Sequence, residues 1–173
     1  MLSEKMQNAL NAQINAEMWS AYLYLSMSMA AADKGLKGVA NWFAIQFKEE
    51  QDHAQIFINY LLSRGGRVKL APIAEVETEW DTPLAMFEQT LEHEKKVTSL
   101  IHNLCAIAAE EKDVATANRM VWFVDEQVEE EESARDIIDQ LKFVGDDRMG
   151  LYMIDKELAT RVYTTPSPLA TAE

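Results

Sequence analysis

Glycine and proline are scarce in this chain, six and four among 173 residues, and Pro166 and Pro168 both fall near its end. Many short strands joined by tight turns need more of both, so the scarcity excludes a sandwich or barrel and leaves a few long helices. The single cysteine, Cys105, excludes an intrachain disulfide and asks for no oxidising compartment. Lying on an apolar row, it reads as a small core residue. No apolar run reaches the length of a membrane span. The N-terminus also lacks a basic stretch followed by an apolar block and a cleavage site. The expected location is therefore the cytoplasm, with no membrane partner. Basic residues are in deficit, 16 against 29 acidic, for a formal charge of -13. Such a surface repels phosphate backbones, which argues against nucleic acid and makes cations the expected company. Acidity can also merely keep a protein soluble, so where the acids lie matters more than their number.

What the chain does contain is helical periodicity. Its length suits one domain, and 48% hydrophobic content suffices for a sizeable core. A first helix is predicted from about Ser3, an N-cap, to about Lys34 before Gly35. Its inward row is Leu10, Ile14, Glu17, Ala21, Tyr24 and Ser28. A second runs from about Leu36 to Arg64 and stops at Gly65-Gly66, with Phe43, Phe47, Glu50, Ala54, Phe57 and Leu61 on one face. Residues 67–81 lack periodicity. A connection that long between helices must travel the length of a bundle, which makes the next helix parallel to the last. Thr82-Pro83 opens a third helix to about Glu111, with the row Phe87, Leu91, Glu94, Thr98, Ile101 and Cys105. Asp113 caps a fourth, about Val114 to Val144, closed by Gly145, with Met120, Val124, Gln127, Ala134, Ile138 and Leu141 inward. A short fifth helix is expected from about Gly150 to Tyr163, with Leu151, Ile154, Leu158 and Val162 on one side. The fold class is all-α, a four-helix bundle with a long crossover between helices two and three, plus a fifth short helix. Residues 1–163 form the domain and 164–173 a flexible tail.

Each long helix carries one acid where its apolar stripe should be unbroken. Glu17, Glu50 and Glu94 interrupt their rows. In the fourth helix Glu130 lies in line with Phe123 and Ile137, but phase arithmetic places Glu131 at least as centrally, and periodicity does not choose. Glu17, Glu50, Glu94 and Glu130 all lie within about three residues of their helix midpoints, roughly 5 Å at the helical rise. A single glutamate on an apolar row is commonly a misphased surface residue; four at one height are not. Converging in a poorly solvated layer, they would repel one another and raise their pKa values unless multivalent cations sat between them. His53, three residues after Glu50 on the same face, turns that acid into a two-ligand unit. Oxygen-rich donors with one imidazole suit iron or manganese better than zinc. The donor count exceeds what one ion needs and suits two ions bridged by a carboxylate, for which the central Glu50 is the candidate.

These residues closely resemble the bacterial non-haem ferritins over nearly the whole chain. The likeness rests on Glu17, Tyr24, Glu49-Glu50-x-x-His53, Glu94, and Trp122 through Glu126-Gln127-x-Glu129-Glu130. It departs from the general di-iron pattern at one place, where Gln127-x-x-Glu130 replaces a second Glu-x-x-His. Non-haem ferritins share that departure and bacterioferritins do not. The latter place a haem-binding Met after the bridging Glu; here Gln51 stands there, so haem is not expected. The single cysteine likewise excludes a rubrerythrin-like iron module.

The resemblance implies a ferritin-like fold and iron storage with ferroxidase activity. Two Fe(II) would be oxidised by dioxygen or peroxide and Fe(III) deposited as mineral inside a homo-oligomeric shell of 24 subunits. It further implies that Glu17, Glu50 and His53 hold the first iron, and that Glu50, Glu94 and Glu130, with Gln127 nearby, hold the second. Glu130 is thereby preferred over Glu131 by analogy. Glu49, Glu126 and Glu129 resemble a third iron site facing the interior, with Glu130 shared; by spacing alone they read as a solvated helix face. Tyr24, two turns after Glu17, would bond a ligand or donate an electron, although core packing also explains it. Trp122 is either an electron donor or a wedge between helices. The main competitor is a di-iron oxidase or oxygenase acting on an organic substrate, which needs a cavity beside the metals where this sequence puts aromatic bulk. A third reading is a cation-buffering bundle without turnover.

Overall fold

The computed structural model describes residues 2–170. Five helices follow in order: α1 (Glu4–Asp33), α2 (Lys37–Ser63), α3 (Pro83–Glu110), α4 (Val114–Val144) and α5 (Arg148–Leu158). Their starts are set by side chains that satisfy otherwise unpaired N–H groups. Ser3 Oγ accepts from the Met6 amide at 3.0 Å, Thr82 Oγ1 from Ala85 at 3.1 Å and Asp113 Oδ1 from Thr116 at 3.2 Å. Ser3 Oγ also donates to Glu111 at 2.6 Å, which ties the start of α1 to the α3–α4 turn. Gly35 and Gly65 follow α1 and α2 at φ +78 and +75, a left-handed conformation open to glycine at no steric cost.

Short turns make α1–α2 and α3–α4 antiparallel pairs. The crossover between them is a strap along α1. Asn11 Nδ2 donates to the Arg67 carbonyl at 3.0 Å, Trp19 Nε1 to Glu75 at 3.3 Å and Ser26 Oγ to Glu77 at 2.7 Å. Those donors form one outward stripe of α1, and they account for backbone carbonyls that have no sheet or helix to bond. The strap thus climbs from the start of α1 to its end, so α3 begins where α2 began and runs parallel to it, as the length of the connection requires. Among the described residues no helix is long and apolar enough to cross a membrane.

The bundle has two apolar cores. One gathers Leu10, Ile14, Phe57, Leu61, Ile101 and Phe123; the other Met27, Trp42, Phe43, Met86, Phe87 and Ile138. Between them lies a layer of buried polar side chains.

Three sequence expectations need correction. The expected fifth helix, Gly150 to Tyr163, is displaced: it starts at Arg148, because Asp147 accepts from the Met149 and Gly150 amides, and it ends at Leu158. Beyond it the chain turns along α2, leaving Val162 80% exposed instead of on the apolar side. On α3 the deep stripe is Thr90, Glu94, Val97, Ile101 and Leu104, while Leu91, Thr98 and Cys105 are only half-buried. The helix is turned towards α1, where Thr90 Oγ1 lies 3.7 Å from Met27 Sδ. Phe47 is half-buried too. Of the tail expected at 164–173, residues 171–173 lie outside the described residues; Leu169 packs against the first core.

Candidate metal centre

Mid-helix positions from all four long helices meet in the polar layer. α1 supplies Glu17, α2 Glu50 and His53, α3 Glu94, and α4 Gln127 and Glu130; all six are buried. Glu17, Glu50 and Glu94 are each 1% exposed, too little for water to compensate their charge. Glu17, Glu50 and His53 offer ligand atoms within 4.8 Å of one another, and so do His53, Glu126 and Glu130. His53 sits between the groups, Nδ1 3.3 Å from Glu50 Oε2 and Nε2 3.7 Å from Glu126 Oε1. A metal taken at Nδ1 leaves Nε2–H facing a carboxylate, the arrangement that fixes the tautomer of ligating histidines.

Every acid in the layer is held by a donor. Gln13 Nε2 donates to Glu17 Oε1 at 2.8 Å, Gln46 Nε2 to Glu130 Oε2 at 2.9 Å, and Gln127 Nε2 to Glu94 Oε2 at 3.1 Å; the Tyr24 hydroxyl donates to Glu94 Oε1. Two buried oxygens remain without partners, Glu17 Oε2 and Gln46 Oε1. Native interiors rarely tolerate such atoms, and an unpaired carboxylate oxygen beside two further donors is what a cation would satisfy.

Electrostatics says the same. Burial raises all four carboxyls above their ordinary value, most plainly Glu50, where His53 opposes the rise and Glu94 and Glu17 add to it. Glu130 is pushed up to about 8 by burial and by Glu94. Burial pulls His53 down, but Glu126 and Glu50 outweigh it and hold the imidazole well above its usual range. Burial, with Glu94 and Glu50, likewise pushes the Tyr24 phenol up. Burial thus opposes holding these carboxylates ionised together, and divalent cations between them would relieve that opposition.

The structure separates Glu130 from Glu131. Glu131 is half-buried at the edge, accepting from Thr98 Oγ1 at 2.8 Å and pairing with Arg135. Of the other acidic trio, Glu126 approaches His53, Glu49 pairs with Arg161 Nη2 at 2.7 Å, and Glu129 is exposed. Tyr24 stacks on Phe43 and Trp122 lies edge-on to His53, with ring centroids 5.9 and 5.6 Å apart. Sequence reasoning missed Gln13, Gln46 and Arg161. The two amides had a readable signal: each stands four residues before a buried acid, on the same helix face. Arg161 had none.

Aromatic rings close the layer above and below. Phe43 and Phe87 stack at 5.0 Å on the Tyr24 side, and Phe57 and Phe123 at 4.1 Å on the His53 side. An apolar groove of about 740 Å³ lies elsewhere, between α4 and α5, and is lined by Phe143 and Met153.

Known proteins share this chain's fold and much of its sequence. A family model described as a ferritin-like domain matches residues 7–144. The chain is 48% identical over 161 residues to the bacterial non-heme ferritin of Bacteroides fragilis, covering 93% of this chain and 100% of that one. It is 37% identical to the bacterial non-heme ferritin of Staphylococcus aureus over 163 residues, 94% of this chain and 98% of that one. Among solved structures, an open pore ferritin from the hyperthermophilic archaeon Archaeoglobus fulgidus superposes with a TM-score of 0.93 at 51% identity, covering 94% of this chain and 100% of that one.

Proposed function

Since this chain belongs to the bacterial non-heme ferritin family, we propose that its buried carboxylate layer is a ferroxidase centre feeding an iron store. Two Fe(II) bound side by side give up two electrons, enough to reduce one dioxygen to hydrogen peroxide or one peroxide to water. Hydrolysis of the Fe(III) product then deposits mineral. Glu17, Glu50 and His53 take the first iron; Glu50, Glu94 and Glu130 take the second, with Glu50 the bridge and Gln127 nearby. Hard anionic oxygen favours the higher charge, so the donor set stabilises Fe(III) over Fe(II). Gln127, an amide already donating to Glu94, is a poorer ligand than an imidazole, which suits a position that passes iron on. Glu49, Glu126 and Glu129, sharing Glu130, form a third position beside the pair.

The observation that carries this reading is four glutamates from four helices in one dry layer, with a carboxylate oxygen left unpartnered. Aerobic addition of Fe(II) to the apoprotein, followed by absorbance and oxygen uptake, tests it. Oxidation should far outpace that in protein-free buffer and should collapse in Glu50→Ala. Equal rates in the two proteins would sink the assignment. An organic-substrate oxidase is disfavoured, because the rings that close the layer fill the space a substrate would need.

The family likeness supports a multimeric shell in the cytoplasm, and we assign it 24 copies. The α4–α5 end bears the apolar side chains that such assembly would cover: Phe143 is 92% and Met149 66% exposed. Gel filtration separates a shell from a monomer or dimer at once.

A further inference from the structure

We propose that Arg161 is a built-in counter-ion that competes with metal for Glu49, and so sets how far the third iron position fills. The inference rests on the reading of Glu49, Glu126 and Glu129 as that position.

After α5 ends, the chain runs back along α2, and α2 grips it at successive turns. Asn41 Nδ2 donates to the Leu158 and Arg161 carbonyls at 3.2 and 3.1 Å. Further along, the Tyr163 hydroxyl donates to Asp52 Oδ2 at 2.5 Å, and Lys48 Nζ lies 5.6 Å from the Tyr163 ring centroid. Between these anchors the Arg161 guanidinium is fixed on three sides. Nη1 donates to the Trp42 carbonyl at 3.3 Å, Cζ stands 4.7 Å from a Trp42 ring centroid, and Nη2 donates to Glu49 Oε2 at 2.7 Å. A free surface ion pair restrains little, because both side chains pay entropy to meet. Here that entropy is already lost through the carbonyl bond, the indole face and the tethered backbone, so the charge is presented preorganised.

The consequence for the centre is geometric. Glu126 and Glu130 bring ligand atoms within 4.8 Å of each other, beside the His53 that serves the first iron, which leaves a half-built site next to the di-iron pair. Glu49, adjacent in sequence to Glu50, is the further oxygen donor nearby, and its carboxylate is engaged by the guanidinium. An ion entering the third position must take Glu49 from Arg161. A single fixed positive charge delays that exchange without forbidding it, so the di-iron pair fills first and the third position fills only as iron accumulates.

The test uses the assembled apo shell and Zn(II), which binds without redox chemistry. Crystals of the wild type and of Arg161→Gln are soaked at one Zn(II) concentration and read by anomalous diffraction. The wild type should show two strong peaks per subunit and a third that is weak or missing. In Arg161→Gln the third peak should rise to the height of the other two, with Glu49 swung towards Glu126, and it should vanish again in Arg161→Gln/Glu49→Gln. Asn41→Ala, which loosens the segment and leaves both ion-pair partners in place, should raise the third peak by a smaller amount. It serves if Arg161→Gln fails to assemble. Equal, strong third peaks in wild type and variant would overturn the role of Arg161 while leaving the third position standing. A Glu49 that swings inward with no ion beside it would overturn the third position itself. A Glu49 that stays turned away after Arg161 is removed would show that something else holds it. Fewer than two strong peaks in both proteins would overturn the di-iron reading on which all of this rests.

Discussion

Binding of a divalent ion to this centre should expel protons, and their number can be worked out from the layer's electrostatics. Glu130, with a carboxyl pKa of about 8, is about 0.9 protonated at pH 7 and about 0.1 protonated at pH 9. Glu17, Glu50 and Glu94 are raised as well by burial, and Glu126 and Glu50 raise His53 against the pull of burial. A metal ligand must be deprotonated, so whatever protons the cluster holds leave when Zn(II) arrives. Keeping Glu130 ionised at pH 7 without metal costs about 1.4 kcal/mol, one pKa unit, so the proton stays until a cation replaces it. Isothermal titration of the apo shell with Zn(II), in two buffers of different ionisation enthalpy, reads the release directly. More than one proton per subunit is expected at pH 7, falling by pH 9. Because the groups titrate together, the total belongs to the cluster, and Glu130→Gln should lower it at pH 7 by close to one. A release below one proton at pH 7, or one unchanged by Glu130→Gln, would mean that the carboxylates are already ionised and solvated, and the argument from burial would fail.

Three further outcomes are expected of the same layer and its surroundings. The raised carboxyls and the raised histidine bind more protons folded than unfolded. Stability of the metal-free protein should therefore fall as pH rises from about 4.5 towards about 8, and saturating Zn(II) should remove the slope, as melting of chelator-treated samples at pH 6 and 8.5 would show. Gln127→His should strengthen retention at the second iron position, so that a chelator strips iron from the centre more slowly; unchanged release would count against the amide's role. In Gly38→Ala the new Cβ would fall 1.6 Å from the Asp155 carbonyl oxygen, at the spot where Asp155 Oδ1 accepts from the Gly38 and Val39 amides. Overpacking of about 1–3 kcal/mol should lift α5 from α2 and speed proteolysis between α4 and α5 without emptying the centre.

Much of this molecule is written locally. Ser3, Thr82-Pro83 and Asp113 announce helix starts, Gly35 and Gly65 announce stops, and each acts through backbone groups within a few residues. Because those ends fix the midpoints, the shared height of Glu17, Glu50, Glu94 and Glu130 is legible in the order of residues alone. Rotation about each helix axis is not. One residue is 100° of phase, so Leu91, Thr98 and Cys105 flank the Glu94 row on one side and Thr90, Val97 and Leu104 on the other, and only packing against α1 decides between them. The same ambiguity hides the choice of Glu130 over Glu131, which is made when α2 brings Gln46 against one and the bundle edge puts Thr98 and Arg135 against the other. Contacts between distant parts of the chain leave even less trace. Arg161 and Glu49 are 112 residues apart, and nothing near either position specifies the other. Residue order therefore dictates which groups the centre contains and at what height. The packed bundle dictates which way they face and what holds them, because direction in a bundle is set by neighbours and not by the helix that carries the side chain.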